Sequence, residues 1–116
     1  MQSLETTQLE RMIDNNEDFL LVNTLSEEDF AQTEIPGSVN IPQNDADFAD
    51  NVESTAGGKD KPIVVYCASQ QCQSSTKAAE KLERAGFETV YDYEGGAKAW
   101  TESGNVLAVP EEVERT

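Results

Sequence analysis

No histidine occurs in this chain of 116 residues, and only two cysteines do. The usual mixed zinc ligand set is therefore missing, and two cysteines five positions apart cannot form a disulfide framework of the secreted kind, so no metal and no cofactor is expected. Positive charge is scarce as well: eight basic side chains stand against 23 acidic ones, for a formal net charge of -15. Such a surface repels nucleic acid and anionic membranes, which excludes both as partners. No run approaches about 18 apolar residues, and Met1-Gln2-Ser3-Leu4-Glu5-Thr6 has neither a basic region nor an apolar core. A cytoplasmic protein with no membrane segment is expected. There is no internal repeat and no carboxylate pair spaced for acid–base work.

Self-repulsion at this charge density opposes the compact state until salt screens it, at a Debye length of about 3 Å near 1 M. The composition thus predicts a halophilic protein from a high-salt cytoplasm, with an acidic mesophilic protein as the plain alternative. The length suits a single domain over 1–116, with a core at about 6–100 and a C-terminal extension at 101–116. A monomer or weak dimer is expected.

What is present alternates between helix and strand patterns. Thr7-Gln8-Leu9-Glu10 reads as a capping box opening a helix near 7–15. Phe19-Leu20-Leu21-Val22-Asn23 is a short apolar run suited to a buried strand, and Ser26 caps a helix whose first turn holds Glu27, Glu28 and Asp29. Val39-Asn40-Ile41-Pro42 is a brief strand, Asp45 to Val52 a short helix, and Ser54 to Asp60 a loop. Ile63-Val64-Val65-Tyr66-Cys67 is the next strand. The helical pattern from Thr76 to Ala85 follows, closed by Gly86, and then come a strand at Phe87 to Tyr93 and a last helix from Gly95-Gly96 through Trp100. The tail Glu111-Glu112-Val113-Glu114-Arg115-Thr116 is charged and reads as frayed. This alternation argues for an α/β domain with a mainly parallel sheet covered by helices on both faces, whose ligands bind beyond the carboxyl ends of the strands.

Cys67 lies at such an end. A thiolate is favoured near a helix amino terminus, and the backbone of Ala68, Ser69, Gln70, Gln71, Cys72 and Gln73 is long enough to curl into a nest for an anion. Gln70, Gln71 and Gln73 add neutral donors. Against this, a cysteine at a strand end is also an ordinary small core residue, and no Arg or Lys stands between Cys67 and Lys77 to activate the thiol. Cys72 reads either as a resolving thiol for Cys67 or as a bystander that packs the loop. Ser74 and Ser75 read first as helix caps and second as anion ligands, and Gly95-Gly96 with Trp100 as a turn and a core anchor.

Four stretches together resemble the single-domain rhodanese-like family from about Thr6 to Trp100. They are Phe19 to Phe30, Glu34-Ile35-Pro36-Gly37-Ser38-Val39-Asn40-Ile41-Pro42, the strand ending at Cys67, and Tyr93-Glu94-Gly95-Gly96-Ala97-Lys98-Ala99-Trp100. The resemblance implies a five-stranded parallel sheet and a sulfurtransferase, or persulfide carrier, in which Cys67 takes sulfane sulfur from a thiosulfate- or persulfide-type donor. The sulfur passes to a thiol or other thiophilic acceptor, small molecule or protein. The chain departs from the family pattern in four places. Asn23-Thr24-Leu25 replaces Asp-x-Arg, Glu34 replaces a histidine, the loop after Cys67 is about two residues longer, and it lacks the arginine often found there. That missing charge argues against efficient thiosulfate turnover. Relatives acting on phosphate or arsenate carry an arginine six residues beyond the cysteine, where this chain has Gln73, and a neutral amide cannot supply their bidentate contact. The rival readings are a Cys67–Cys72 thiol redox switch and a non-catalytic rhodanese-like interaction module.

Overall fold

The computed structural model describes residues 2–108. The chain runs β1 (Gln2–Ser3), α1 (Thr6–Asp14), β2 (Leu20–Asn23), α2 (Glu27–Thr33), β3 (Val39–Asn40), α3 (Phe48–Ala56), β4 (Ile63–Tyr66), α4 (Ser74–Arg84), β5 (Val90–Tyr93) and α5 (Gly96–Glu102). All pairings are parallel, in the order β1-β5-β4-β2-β3. The α/β class with a five-stranded parallel sheet is as the sequence led us to expect.

β4 is central because its four residues are apolar or aromatic and wholly buried. Side chains alternate across a strand, so Ile63 and Val65 enter one core with Phe48 and Val52 of α3 and Ala78, Ala79 and Leu82 of α4. Val64 and Tyr66 enter the other, with Leu9 of α1, Leu21, Tyr93 and Trp100 of α5. One strand thus feeds both cores, and each fully buried Val or Ile there contributes about 1.5–3 kcal/mol. Tyr66 also uses its hydroxyl: it accepts from the Ile35 amide at 2.9 Å, pairs with Ser38 Oγ at 2.9 Å and donates to the Thr33 carbonyl at 2.9 Å. These bonds fix the Ile35-Pro36-Gly37-Ser38 turn over the sheet.

Several boundaries differ from those read in the sequence. The first helix begins one residue earlier, with Glu5 as its cap and Gln8 as the reciprocal partner; Gln8 Oε1 accepts from the Glu5 amide at 2.8 Å. Thr7 and Glu10 lie inside the helix instead, and the preceding Thr6 is bonded to the Tyr93 hydroxyl at 2.6 Å. Ser26 caps α2 as expected, its hydroxyl accepting from Asp29 N at 3.3 Å. Ser54 to Ala56, expected in a loop, complete α3.

The core is also wider than 6–100. Gln2–Ser3 adds a strand beside β5. Beyond α5 the chain folds back, with Trp100 Nε1 donating to the Val106 carbonyl at 3.1 Å and the Ala108 amide donating to the Glu34 carbonyl at 2.7 Å. The charged tail at 111–116 lies outside the described residues. Among those residues no helix is long and apolar enough to cross a membrane.

Candidate functional site

β4 delivers Cys67 to the carboxyl end of the sheet, where it is fully buried beneath the first turn of α4. Two elements hold the loop that covers it. On one side Thr24, just past β2, donates through its amide to the Tyr66 carbonyl at 3.1 Å and through Oγ1 to Ser74 Oγ at 3.1 Å, while Ser74 Oγ donates to the Thr24 carbonyl at 3.2 Å. On the other side the Ala97 and Lys98 amides of α5 donate to the Cys67 and Ala68 carbonyls at 3.0 and 2.9 Å. Gly96 makes that approach feasible. It has φ +64°, and a Cβ there would sit 2.4 Å from the Cys67 carbonyl oxygen. The Gly95-Gly96 pair is therefore more than a turn before Trp100, because it seats α5 against the backbone of the cysteine.

The thiol faces the Cys72 carbonyl at 3.3 Å, Ser75 Oγ at 3.7 Å and the Ser69 carbonyl at 3.9 Å. Two carbonyl oxygens therefore point at the sulfur, which differs from a cradle made solely of inward-facing amides. The loop turns at Ser69, where the Cys72 amide donates back to the Ser69 carbonyl at 3.0 Å. Gln70, Gln71 and Gln73 are exposed, while Ala68, Ser69 and Cys72 are half-buried. Burial pushes the Cys67 thiol up from its ordinary range, and the adjacent Cys72 thiol adds to this; the backbone N–H and hydroxyl of Ser75 pull the other way. The net direction is upward. The placement at a helix amino terminus therefore does not outweigh burial here, because a thiolate in this spot loses its hydration and meets two carbonyls.

Ser74 and Ser75 are not caps. Gln73 holds the cap position with no side-chain cap bond, and the two serines are the first residues of α4 itself. Freed from capping, Ser74 ties the helix to Thr24 and Ser75 turns its hydroxyl to Cys67.

Asp92 on β5 was not singled out from the sequence. It is buried, its Oδ2 accepts from Thr76 Oγ1 at 2.9 Å, and its Oδ1 is buried without a hydrogen-bond partner among the described residues. Burial pushes its carboxyl up; Ser75 and Thr76 beside it pull down, and Glu94 adds an upward push. An acid within Val90-Tyr91-Asp92-Tyr93 was the available signal, since a charged residue at an inward position of an otherwise apolar strand needs a reason.

Two clefts flank the loop and share Gln70 and Gly95. The larger, of about 450 Å³, is walled by Ser3, Leu4, Glu5, Thr6 and Tyr93; the smaller, of about 160 Å³, by Ser69, Gln71, Lys98 and Glu102. Cys67 lines neither. No group of three His, Cys, Asp or Glu able to hold a metal occurs among the described residues.

The rhodanese-like domain family matches residues 5–103. A sulfurtransferase of Allochromatium vinosum is 26% identical over 111 residues, covering 96% of this chain and 98% of that protein. The chloroplastic thiosulfate sulfurtransferase 16 of Arabidopsis thaliana is 35% identical over 86 residues, covering 66% of this chain and 69% of that protein. Among solved structures, the rhodanese-like domain of the Alr3790 protein from Anabaena sp. superposes with a TM-score of 0.81 at 25% identity, covering 100% of this chain and 84% of that chain. With its five-stranded parallel sheet and a cysteine at the carboxyl end of the central strand, the chain belongs to the rhodanese-like domain family.

Proposed function

We propose that this protein is a sulfurtransferase that carries sulfane sulfur as a persulfide on Cys67. The observation that carries the reading is the position of Cys67, at the end of β4 and bonded to Ser75 in the first turn of α4. Sulfurtransferase relatives support it. With thiosulfate as donor, the Cys67 thiolate attacks the outer sulfur. A sulfur–sulfur bond forms to Cys67, the bond to the sulfonate sulfur breaks, and sulfite leaves with the electron pair. An acceptor thiolate then attacks the outer sulfur of the persulfide and releases Cys67 as thiolate. Because Cys67 is fully buried, residues 68–73 shift to admit donor and acceptor. The donor and acceptor are small sulfur compounds or protein thiols, and the protein works in the cytoplasm as a monomer or weak dimer.

Intact mass after incubation with thiosulfate or a persulfide donor tests this. A gain of roughly 32 Da, one sulfur, is expected in the wild type and not in Cys67→Ser. An adduct that survives Cys67→Ser, or no adduct with either donor, overturns the reading. The Cys72 thiol beside that of Cys67 favours one second reading, a redox pair. Loss of two hydrogens, as two protons and two electrons taken up by a mild oxidant, reversed by reductant, is its signature.

A further inference from the structure

The loop over Cys67 carries no cationic side chain, and the chain as a whole has a net charge of -15. An anionic sulfur donor is repelled on approach unless a cation stands beside the loop. The two clefts that flank the loop differ in this respect. The larger has Glu5 and Glu94 in its wall and no base. The smaller, of about 160 Å³, has one base, the exposed Lys98, and one acid, Glu102.

We propose that Lys98 binds the anionic sulfur donor, holding the sulfonate end of thiosulfate, or an equally small sulfur oxyanion, in the smaller cleft. This rests on the sulfurtransferase reading given above. The Lys98 amide donates to the Ala68 carbonyl at 2.9 Å and the Ala97 amide to the Cys67 carbonyl at 3.0 Å, so the lysine stem is rooted beside the backbone of the cysteine. Lys98 belongs to α5, whose Trp100 is buried in the core, and not to the loop. When the loop shifts to uncover Cys67, Gln70 and Gln71 travel with it, whereas Lys98 keeps its place.

Size and charge both favour the smaller cleft. It suits an anion of few atoms, while the acids of the larger one disfavour any anion. An ammonium is a compact charge with three donors on a flexible stem, which can follow a sulfonate without a fixed fork geometry. Glu102, one helical turn beyond Lys98, moderates the pull, so the donor is held weakly and sulfite is free to leave. With the sulfonate held, the outer sulfur is the end left for Cys67. The thiolate bonds to that sulfur, the sulfur–sulfur bond of thiosulfate breaks, and sulfite takes the electron pair and departs as a dianion. Lys98 gives up no proton.

Binding is measured first without the reaction. Thiosulfate is titrated into the full chain carrying Cys67→Ser, which cannot form the adduct, and backbone amides are followed by NMR with ionic strength held at about 0.3 M by KCl. Saturable shifts are expected at residues 69–71 and 98. In that background Lys98→Gln weakens binding about fivefold, Lys98→Arg retains it and Glu102→Gln tightens it. Lys59→Gln, which removes the same charge in the loop before β4 at the other end of the sheet, leaves it unchanged. With Cys67 intact, Lys98→Gln raises the thiosulfate concentration for half-maximal adduct formation by the same factor and preserves the limiting rate. Equal binding in Lys98→Gln, shifts confined to the larger cleft, or a fall in the limiting rate with half-saturation unchanged overturns the proposal. Thiosulfate binding through Lys98 with no sulfur adduct in the wild type overturns the sulfurtransferase reading and leaves the anion site standing.

Discussion

Asp92 occupies a buried strand position between Val90, which is buried in one core, and Tyr93, which is buried in the other. Its carboxyl titrates above the usual 3.8 because burial disfavours the charge. The sign follows. A folded-state value above the unfolded one means that the fold prefers the protonated acid, so the stability present below about 3.8 is lost as pH rises through the raised value. Asp92→Asn keeps an acceptor for Thr76 and removes the charge. Its melting temperature is expected to exceed the wild type's at neutral pH and to converge with it in acid below about 3.8. A variant that is equally stable at both pH values contradicts this. Cys67 was legible because an apolar β-branched run ended on it before a helical pattern. Asp92 lies 25 residues further on, and only the parallel pairing of β4 with β5 brings the two strands together. In the sequence Ser75 reads as a cap, because nothing local reveals that Gln73 takes the cap position and releases the hydroxyl.

The elements most legible in the sequence were those whose apolar pattern matches their burial. β2 and β4 are continuous apolar runs inside a two-faced sheet, and the expected limits are within a residue of those observed. β1 was missed, since Gln2 and Ser3 are exposed and polar and lie beside β5 through backbone pairing, with one side-chain bond from Ser3 Oγ to Glu94 at 3.1 Å. The role of α5 was legible only as a motif. Its physical content is the backbone contact between Gly96 and Cys67, and Gly96→Ala tests it. Positive φ costs a residue with a Cβ about 1–2 kcal/mol, and the new carbon meets the Cys67 carbonyl besides. A drop in melting temperature of roughly 4–8 °C for each kcal/mol is expected, together with slower formation of the Cys67 adduct as the loop loses its anchor. An unchanged melt would show that α5 can move away without consequence. Gly104→Ala is a useful control, since it also has positive φ but meets nothing within 4 Å.

At the scale of the whole molecule, charge dominates. Lys61 pairs with Asp18 at 3.1 Å, but Asp18 is largely exposed, and one such pair offsets little of a net charge of -15. Screening of that charge is then expected to stabilise the fold. Raising KCl from about 0.1 M to about 2 M is expected to raise the melting temperature by at least about 5 °C. If the two melts coincide, the high-salt reading fails and the acidity is only a matter of solubility.

Both edges of the sheet are strands of only two residues, β1 at one side and β3 at the other. An exposed edge offers unpaired amides and carbonyls to any strand that meets it, and its danger grows with its length. Two residues leave a neighbouring chain little to zip onto. Joined to a surface on which acidic side chains outnumber basic ones almost three to one, these blunt edges make the domain resistant to fibril growth, and its solutions should stay clear at concentrations that would gel a sheet with long open sides.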